Sequence, residues 1–265
     1  MPALPPPPAE DLALGPFQLH LYGVLVMAGF VVWLVTTARL WTRGGGDGVD
    51  AAWACVLAAP AALVGARVYS VLTDFDTYRG DPGSALDLQR GGFGIYGAIA
   101  GALLALATVA RARRWPVGTF LDCAVPGLAL GQAIGRFGNY FNQELFGGPT
   151  SLPWGVEIDP ELRPPGYEGV AIFHPTFLYE SLWCVLIFLL LGSSWKVLHE
   201  RFRPGSVVAV YLCLYGMGRF AVEGFRIDPA IEVGPLRLNQ LVSLGVVATG
   251  FFLLALLDRR RPPRR

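Results

Sequence analysis

The stretch GQAIGRFGNYFNQELFGG, residues 131–148, places five hydrogen-bonding side chains between glycines and aromatic residues. It follows an apolar run and precedes a proline-rich segment. Ionisable groups near a lipid bilayer cost free energy, and they are therefore functional candidates by default. A polar loop that caps a helix is the alternative interpretation of this stretch. The five side chains are those of Arg136, Asn139, Asn142, Gln143 and Glu144.

The composition of the chain indicates an integral membrane protein. Of its 265 residues, 53% are hydrophobic and only 15% are charged, with a mean hydropathy of +0.47. A soluble domain carries roughly 25% charged residues. Several apolar windows reach the roughly 20 residues that a helix needs to cross a bilayer. We therefore expect an all-α membrane domain with about seven transmembrane helices.

The apolar windows divide the chain into spans and connections within a single domain of residues 1–265. The expected spans cover about 19–40, 51–72, 92–110, 117–134, the run from the end of 174–180 to about 196, 206–222 and 236–257. Residues 1–18 lack the basic start of a signal peptide, and they are expected to form a short, flexible lead-in that is disordered or extended. Residues 149–175 form a long connection, and residues 258–265 form a basic tail. The four cysteines stand singly in apolar runs and are interpreted as small buried hydrophobic residues.

The basic residues predict which side of the membrane each connection faces. Seven spans place the two termini on opposite sides, and one set of connections, with the tail, holds 13 of the 21 Lys and Arg residues. The cytoplasmic side normally carries this excess. We therefore expect the N-terminus outside, the C-terminus in the cytoplasm, and the 149–175 connection facing outward, where no ATP is available. The 13 residues are Arg39, Arg43, Arg111, Arg113, Arg114, Lys196, Arg201, Arg203, Arg259, Arg260, Arg261, Arg264 and Arg265.

A second polar segment, GRFAVEGFRID at 218–228, has the pattern of a phosphate-binding site. On a helix, Arg219, Glu223 and Arg226 lie at positions i, i+4 and i+7 and share one face. Two arginines beside one carboxylate leave a net positive site, and a guanidinium group donates to phosphate oxygens as a planar fork. The alternative is a structural salt bridge between two helices, in which Arg226 would have no partner.

Other polar side chains lie near the predicted outer ends of their spans. Each of them, taken singly, fits interfacial anchoring or packing better than catalysis. Glu180 is the exception, because it stands beside an apolar run and needs a partner there. These residues are Tyr22, Arg67, Tyr96, His174, Tyr179, Glu180, Asn239 and Gln240.

These motifs resemble those of the prolipoprotein diacylglyceryl transferases, bacterial membrane enzymes that lipidate lipoprotein precursors. The run GRFGNYFNQELFG at 135–147 is similar to the signature of the family and is the most specific match. Shorter matches follow in the expected order over nearly the whole chain. They are LYG at 21–23, GAR at 65–67, HPTFLYE at 174–180 and GRFAVEGFRID at 218–228.

The resemblance implies transfer of a diacylglyceryl group from phosphatidylglycerol to the thiol of a lipobox cysteine in a prolipoprotein. The products would be a thioether-linked lipid and glycerol 1-phosphate. Neither a metal nor a soluble cofactor would be required. The protein would lie in the bacterial cell membrane among membrane lipids, with its active site toward the outer face and without a nucleic-acid partner.

The implied chemistry assigns roles to the polar residues. The leaving group is an anion, so arginine donors would lower the barrier by stabilising its charge. A carboxylate could orient an arginine or help to accept the thiol proton. Catalytic roles are expected for Arg136, Glu144, Arg219, Glu223 and Tyr96. Substrate-binding roles are expected for Arg136, Asn139, Tyr22, Arg226, His174 and Glu180.

The chain departs from the family pattern at Tyr96. Many members have a histidine before paired glycines, whereas this chain has Tyr96 at that position and Ala98 in place of the second glycine. Histidine is the natural general base near neutral pH, and tyrosine, with an ordinary pKa of about 10, is a poor one. A mechanism with that histidine as base is therefore in doubt here, and Tyr96 is expected to position a substrate through its hydroxyl group.

Two other classes of function remain open from the sequence. One is a transporter for an anionic solute, with the arginines lining its pathway. Transporters usually have repeated halves and broken helices near the middle of the membrane, whereas here the polar clusters gather at one face. The other class is a lipid-binding or assembly subunit without enzymatic activity.

Overall fold

The computed structural model describes residues 3–14, 17–73, 95–193, 195 and 202–259. The described part confirms the all-α membrane fold: it contains seven α-helices, six of which are long and apolar enough to cross a bilayer. The third helix has a shorter apolar segment, Gly97–Ala112. The helices are α1 (Leu21–Arg43), α2 (Gly48–Thr73), α3 (Ile95–Ala112), α4 (Val117–Phe141), α5 (Thr176–Ser193), α6 (Ser206–Glu223) and α7 (Leu238–Arg259).

Helix α4 continues further than the sequence predicted. The expected span ended near residue 134, but the helix ends at Phe141 and so includes Arg136 and Asn139. The glycines near its end do not break the helix. Small residues such as Gly138 instead allow a neighbouring helix to approach closely. A Cβ atom on Gly138 would lie only 2.5 Å from the ring of Tyr22 in α1.

Close contacts between small residues bring α1 against α4 and α2 against α3. A Cβ atom on Gly29 of α1 would lie 2.6 Å from the carbonyl oxygen of Gly131 in α4. A Cβ atom on Gly65 of α2 would lie 2.2 Å from the carbonyl oxygen of Gly97 in α3. Packing of this kind holds membrane helices together where the hydrophobic effect between them is weak.

The buried carboxylate of Asp122 joins α4 to the start of α6. Its oxygens accept hydrogen bonds from the backbone N–H groups of Gly205, at 2.7 Å, and Val208, at 2.9 Å. The first N–H groups of a helix have no partners within the helix, so a side chain that accepts from them stabilises the helix start. Asp122 therefore fixes α6 relative to the helix that carries Arg136.

We expect Asp122→Ala to lower the free energy of unfolding by about 2 kcal/mol, because the buried N–H groups lose their acceptor. Thermal unfolding in detergent measures this loss. The control is Asp47→Ala, which removes an exposed side chain that caps α2 through Val49 and Asp50. A loss for Asp122→Ala no larger than that of the control would contradict this interpretation of Asp122.

Three short antiparallel strand pairs lie at the ends of the helices. The first pair, β1 with β2, forms a hairpin in a lead-in for which the sequence predicted flexibility. The second pair lies in the 149–175 connection with a 3-10 turn at Pro160–Leu162, and the third precedes α7. The strands are β1 (Asp11–Leu14), β2 (Phe17–His20), β3 (Val156–Glu157), β4 (Ile172–Phe173), β5 (Glu232–Val233) and β6 (Leu236–Arg237).

A backbone ladder runs from the lead-in to the end of α6. Leu4 pairs with Val156 of β3, β3 pairs with β4, Phe173 of β4 pairs with Pro149, and Gly147 pairs with Arg226. The side chain of Leu4 packs against the apolar cluster around β3 and β4. That contact stabilises an ordered lead-in, which the composition of residues 1–18 alone did not predict.

Candidate active site

Four arginines and three carboxylates meet where α4 and α6 end and α5 and α7 begin. We call this group the arginine cluster, and its net charge is positive by one unit when all of its members are ionised. Its members lie up to about a hundred residues apart along the chain, and the packing of the helices brings them together. The members are Arg136, Glu180, Arg219, Glu223, Arg226, Asp228 and Arg237.

Glu180 has the partners that its position required. One carboxylate oxygen lies 2.5 Å from Nε of Arg136, and the other accepts a hydrogen bond of 2.8 Å from Arg219. The residue is buried near the start of α5. Glu180 therefore holds two arginines from different helices on the two oxygens of one carboxylate, which is the strong, charge-assisted kind of contact.

Glu223 is the deepest member of the cluster and its side chain is fully buried. Arg219 lies 2.7 Å from one oxygen at the predicted i, i+4 spacing, and Arg237 lies 3.0 Å from the other. Asn239 of α7 donates a hydrogen bond of 3.1 Å to the same oxygen as Arg237. The oxygen next to Arg219 has no well-aligned hydrogen-bond donor among the described residues.

Under the salt-bridge alternative Arg226 would have no partner, whereas in the structure it has two. Its Nε lies 2.7 Å from the carboxylate of Asp228, and its terminal nitrogen lies 3.6 Å from Glu223. The shared helical face also ends before Arg226, because α6 ends at Glu223 and the chain turns at Gly224. Arg226 therefore reaches the cluster from the turn, and its side chain is almost fully buried.

Sequence reasoning missed Asp228 and Arg237. Asp228 was the last residue of the second motif, and it binds both Arg226 and Arg237. Arg237 was not among the 13 basic residues expected on the cytoplasmic side, and no role was predicted for it. The signal that could have found it is its position two residues before Asn239 at the predicted start of the last span.

The polar side chains that follow Arg136 divide into two groups. Asn139 accepts from Arg136 over a long 3.5 Å and donates to Glu144 at 2.9 Å, so that it connects Glu144 to the cluster. Asn142 also donates to Glu144, at 3.2 Å. Gln143 instead bonds Asp159 of the 149–175 connection twice, through its side-chain amide and the backbone N–H of Asp159. Gln143 therefore fastens the connection to the end of α4.

The backbone around Glu144 is strained. Gln143 and Leu145 both have positive φ angles, of 47° and 58°, which residues with a side chain seldom adopt. Such conformations persist where the surroundings fix them, and they gather at functional sites. Here the side-chain bonds of Gln143 and the hydrogen bond from Thr176 to the carbonyl oxygen of Leu145 hold the turn.

The remaining predicted residues lie in different places. The ring of Tyr22 packs on Gly138, close to Arg136 in α4. His174 bonds the hydroxyl group of Tyr179 at 2.9 Å, and Trp154 donates to the same hydroxyl group. Within the part of the chain that the structure describes, no hydrogen bond or ion pair joins the His174 side chain to the arginine cluster. Tyr96 belongs to the first turn of α3, and its side chain lies outside the described residues.

Two tyrosines behind Arg136 were not predicted. Tyr215 of α6 lies beside the Arg136 guanidinium and stacks on Tyr211 with ring centres 5.6 Å apart. Tyr211 in turn donates to Gln132 at 2.8 Å. Across residues 3–14, 17–73, 95–193, 195 and 202–259, no group of three or more His, Cys, Asp or Glu residues is arranged to hold a metal ion.

Comparison with known proteins decides the family. The family model described as prolipoprotein diacylglyceryl transferase matches residues 10–256 of this chain. The chain belongs to the prolipoprotein diacylglyceryl transferase family. The resemblance found in the sequence motifs is therefore confirmed.

Three relatives named phosphatidylglycerol–prolipoprotein diacylglyceryl transferase show how far the similarity to this transferase family extends. The protein of Cutibacterium acnes is 41% identical over 97% of this chain and 88% of its own length. The second transferase of Streptomyces coelicolor is 44% identical over 92% of this chain and 79% of its own length. The protein of Thermosynechococcus vestitus is 39% identical over 92% of this chain and 90% of its own length.

Proposed function

We propose that this chain transfers the diacylglyceryl group of phosphatidylglycerol to the cysteine thiol of a prolipoprotein lipobox. The observation that carries the proposal is the arginine cluster, a buried site with excess positive charge at the ends of membrane helices. Such a site suits a lipid whose phosphate must be bound and then released as glycerol 1-phosphate. The relatives named above carry the same activity in their names.

In the proposed reaction the cysteine sulfur bonds to the glyceryl carbon that carries the phosphate ester. The bond between that carbon and the phosphate oxygen breaks, and its electron pair leaves with glycerol 1-phosphate. Arg136 and Arg219 stabilise the charge that develops on the leaving phosphate, since fixed donors in a dry site do so effectively. Glu180 orients both guanidinium groups through its two oxygens.

The thiol proton needs an acceptor, and Glu144 is our candidate. Its carboxylate is bonded to the amides of Asn139 and Asn142, whereas both oxygens of Glu180 face arginines. Both amides bond the same oxygen of Glu144, so that its other oxygen has no hydrogen-bond donor among the described residues and is available to accept the proton. Glu223 and Arg226 complete the phosphate site from behind.

The other predicted residues receive supporting roles in the proposal. Tyr22 and Asn139 line the end of α4 that carries Arg136. Tyr96 positions a substrate through its hydroxyl group, and His174 with Tyr179 contributes to the surface that receives the peptide. The reaction as written consumes only phosphatidylglycerol and the thiol, so its atoms balance without a redox or metal cofactor.

We further propose that the protein lies in the bacterial cell membrane with the arginine cluster toward the outer face. Support comes from the basic residues, which concentrate at the opposite ends of the helices and in the tail. In this orientation both the lipid and the exported prolipoprotein reach the cluster from the outer leaflet.

Cysteine labelling tests this orientation without any activity assay. We expect a cysteine at position 157 or 161 to react with a membrane-impermeant maleimide added to intact cells, and a cysteine at position 261 to react only after the membrane is opened. Glu157 and Glu161 are exposed, and all four native cysteines are buried. The reverse labelling pattern would overturn the proposed orientation.

The activity itself is tested with purified protein, phosphatidylglycerol and a lipobox peptide. We expect the peptide thiol to gain a diacylglyceryl group in amounts equal to the glycerol 1-phosphate released. A transporter for anionic solutes would move solute across proteoliposomes without modifying the peptide. A lipid-binding subunit would bind phosphatidylglycerol and leave the thiol unchanged. Either result would refute the proposed transfer.

A further inference from the structure

Arg237 differs from the other arginines of the cluster in what surrounds its guanidinium group. It is the last residue of β6, and its side chain is 13% exposed. Its nitrogens lie 3.0 Å from Glu223, 3.1 Å from the carboxylate of Asp228, and 2.5 and 2.7 Å from the carbonyl oxygens of Arg226 and Asp228. Both terminal nitrogens donate hydrogen bonds to the protein, and Nε lies beside the Glu223 carboxylate without a well-aligned hydrogen bond. The terminal nitrogens are therefore engaged before any ligand binds.

Arg136 and Arg219 are held in a more open way. Arg136 is 26% exposed and contacts Glu180 through Nε, with a long contact to Asn139. Arg219 is 16% exposed and contacts Glu180 and Glu223 through its terminal nitrogens. Neither of them donates to a backbone carbonyl oxygen in the described part of the chain, whereas Arg237 donates to two. Arg136 and Arg219 are therefore better placed than Arg237 to bind a phosphate group directly.

The charge balance of the cluster depends on Arg237. Without it, three arginines would face three carboxylates, and the cluster would carry no excess positive charge for an anionic lipid. The fully buried Glu223 would also lose a cation at 3.0 Å. A buried carboxylate that loses one cationic partner attracts the remaining cations more strongly. Arg219 already lies 2.7 Å from Glu223, so Arg226, now at 3.6 Å, is the next cation to be drawn inward.

We propose that Arg237 is a positioning residue for the phosphate of the lipid substrate. It neutralises Glu223, so that Arg219 and Arg226 keep their capacity to bind the anion. The proposal rests on the proposed function for the identity of the lipid. Binding of the anionic lipid headgroup can be measured without the transfer reaction.

The experiment compares Arg237→Gln and Arg237→Lys with the wild type in two assays. The first is equilibrium binding of phosphatidylglycerol, with diacylglycerol as the uncharged reference lipid. The second is the transfer rate, with the KM for phosphatidylglycerol and the KM for the peptide measured separately. We expect Arg237→Gln to weaken phosphatidylglycerol binding and raise its KM by about tenfold or more, the size of one lost charge-assisted contact. Diacylglycerol binding and the KM for the peptide should stay unchanged.

The Arg237→Lys variant distinguishes neutralisation of Glu223 from stabilisation of the turn at Arg226 and Asp228 by hydrogen bonds. Lysine keeps the charge but loses the planar fork that reaches two carbonyl oxygens. We expect it to recover most of the phosphatidylglycerol affinity. A Lys variant as weak as the Gln variant, or a Gln variant with a lower kcat and an unchanged KM for phosphatidylglycerol, would overturn the proposal.

Arg163 supplies the matched control. It also braces a turn, by donating to the carbonyl oxygens of Ile158 and Glu168, but it touches no member of the arginine cluster in the described part of the chain. Arg163→Gln should leave phosphatidylglycerol binding unchanged, and an equal loss there would overturn a specific role for Arg237.

Two further results distinguish failure of this inference from failure of the proposed function. If the wild type binds phosphatidylglycerol in an Arg237-dependent way but transfers nothing, the proposed function fails and this inference stands. If Arg237→Gln does not fold, the neutral pair Glu223→Gln with Arg237→Gln replaces it. We expect that pair to bind phosphatidylglycerol within about threefold of Glu223→Gln alone, since the Glu223 charge that Arg237 neutralises is already absent. A tenfold weaker affinity would overturn the proposal.

Discussion

Replacing Arg136 or Arg219 with alanine should lower the transfer rate by a factor of about 100 to 1000 or more, while the protein stays folded. The reason is that both guanidinium groups share the carboxylate of Glu180 and are partly open, so they can bind one phosphate group together. Lysine at either position should rescue poorly, because it keeps the charge and loses the bidentate fork.

The measurement is the initial rate of thiol lipidation at saturating phosphatidylglycerol, with thermal unfolding of each variant as the test of folding. Arg113→Ala is the control, because Arg113 forms an exposed ion pair with Asp50 at the other end of the helices. Exposed pairs contribute little to stability. Full activity of either alanine variant of the cluster would remove that residue from the site.

Replacing Glu180 with glutamine should lower transfer by about 100-fold, because two arginines lose the anion that orients them. Glutamine keeps the size of the side chain but cannot accept from both arginines as a carboxylate does. Glu180→Ala should in addition lower the free energy of unfolding by about 3 to 5 kcal/mol, the usual result of breaking a buried ion pair from one side.

Steady-state kinetics and thermal unfolding separate the two effects. The control is Glu168→Gln, which changes an exposed carboxylate that accepts from the backbone of Gly166 in the 149–175 connection. A Glu180→Gln enzyme with nearly normal turnover would show that the arginines hold their positions without this carboxylate.

The sequence predicted the helices well because apolar length is a local property. The expected number of helices agrees with the structure, and most expected ends lie within a few residues of the observed ones. The end of α4 was the exception. Glycines favour helix breaks when they are considered alone, whereas the contact of Gly138 with Tyr22 depends on a helix more than a hundred residues away.

The sequence predicted only those contacts of the site that depend on local geometry. Arg219 and Glu223 lie one turn apart, so their contact follows from helix geometry. The partners of Glu180 lie 44 and 39 positions away along the chain, and only the packing of α4, α5 and α6 identifies them. The only local signal for Arg237 was its position close to Asn239 and Gln240. Its role depends on a turn whose shape composition does not predict.

The backbone ladder from Leu4 to Arg226 has a consequence for the synthesis of the protein. The first and last rungs join segments that the ribosome makes far apart in time: Leu4 must wait for Val156, and Gly147 must wait for Arg226. Contacts between distant segments form late in folding. A nascent chain that has inserted only α1 to α5 therefore holds Arg136 and Glu180 but lacks Arg219, Arg226 and Arg237. The arginine cluster can be completed only after the segment between α6 and α7 has been made.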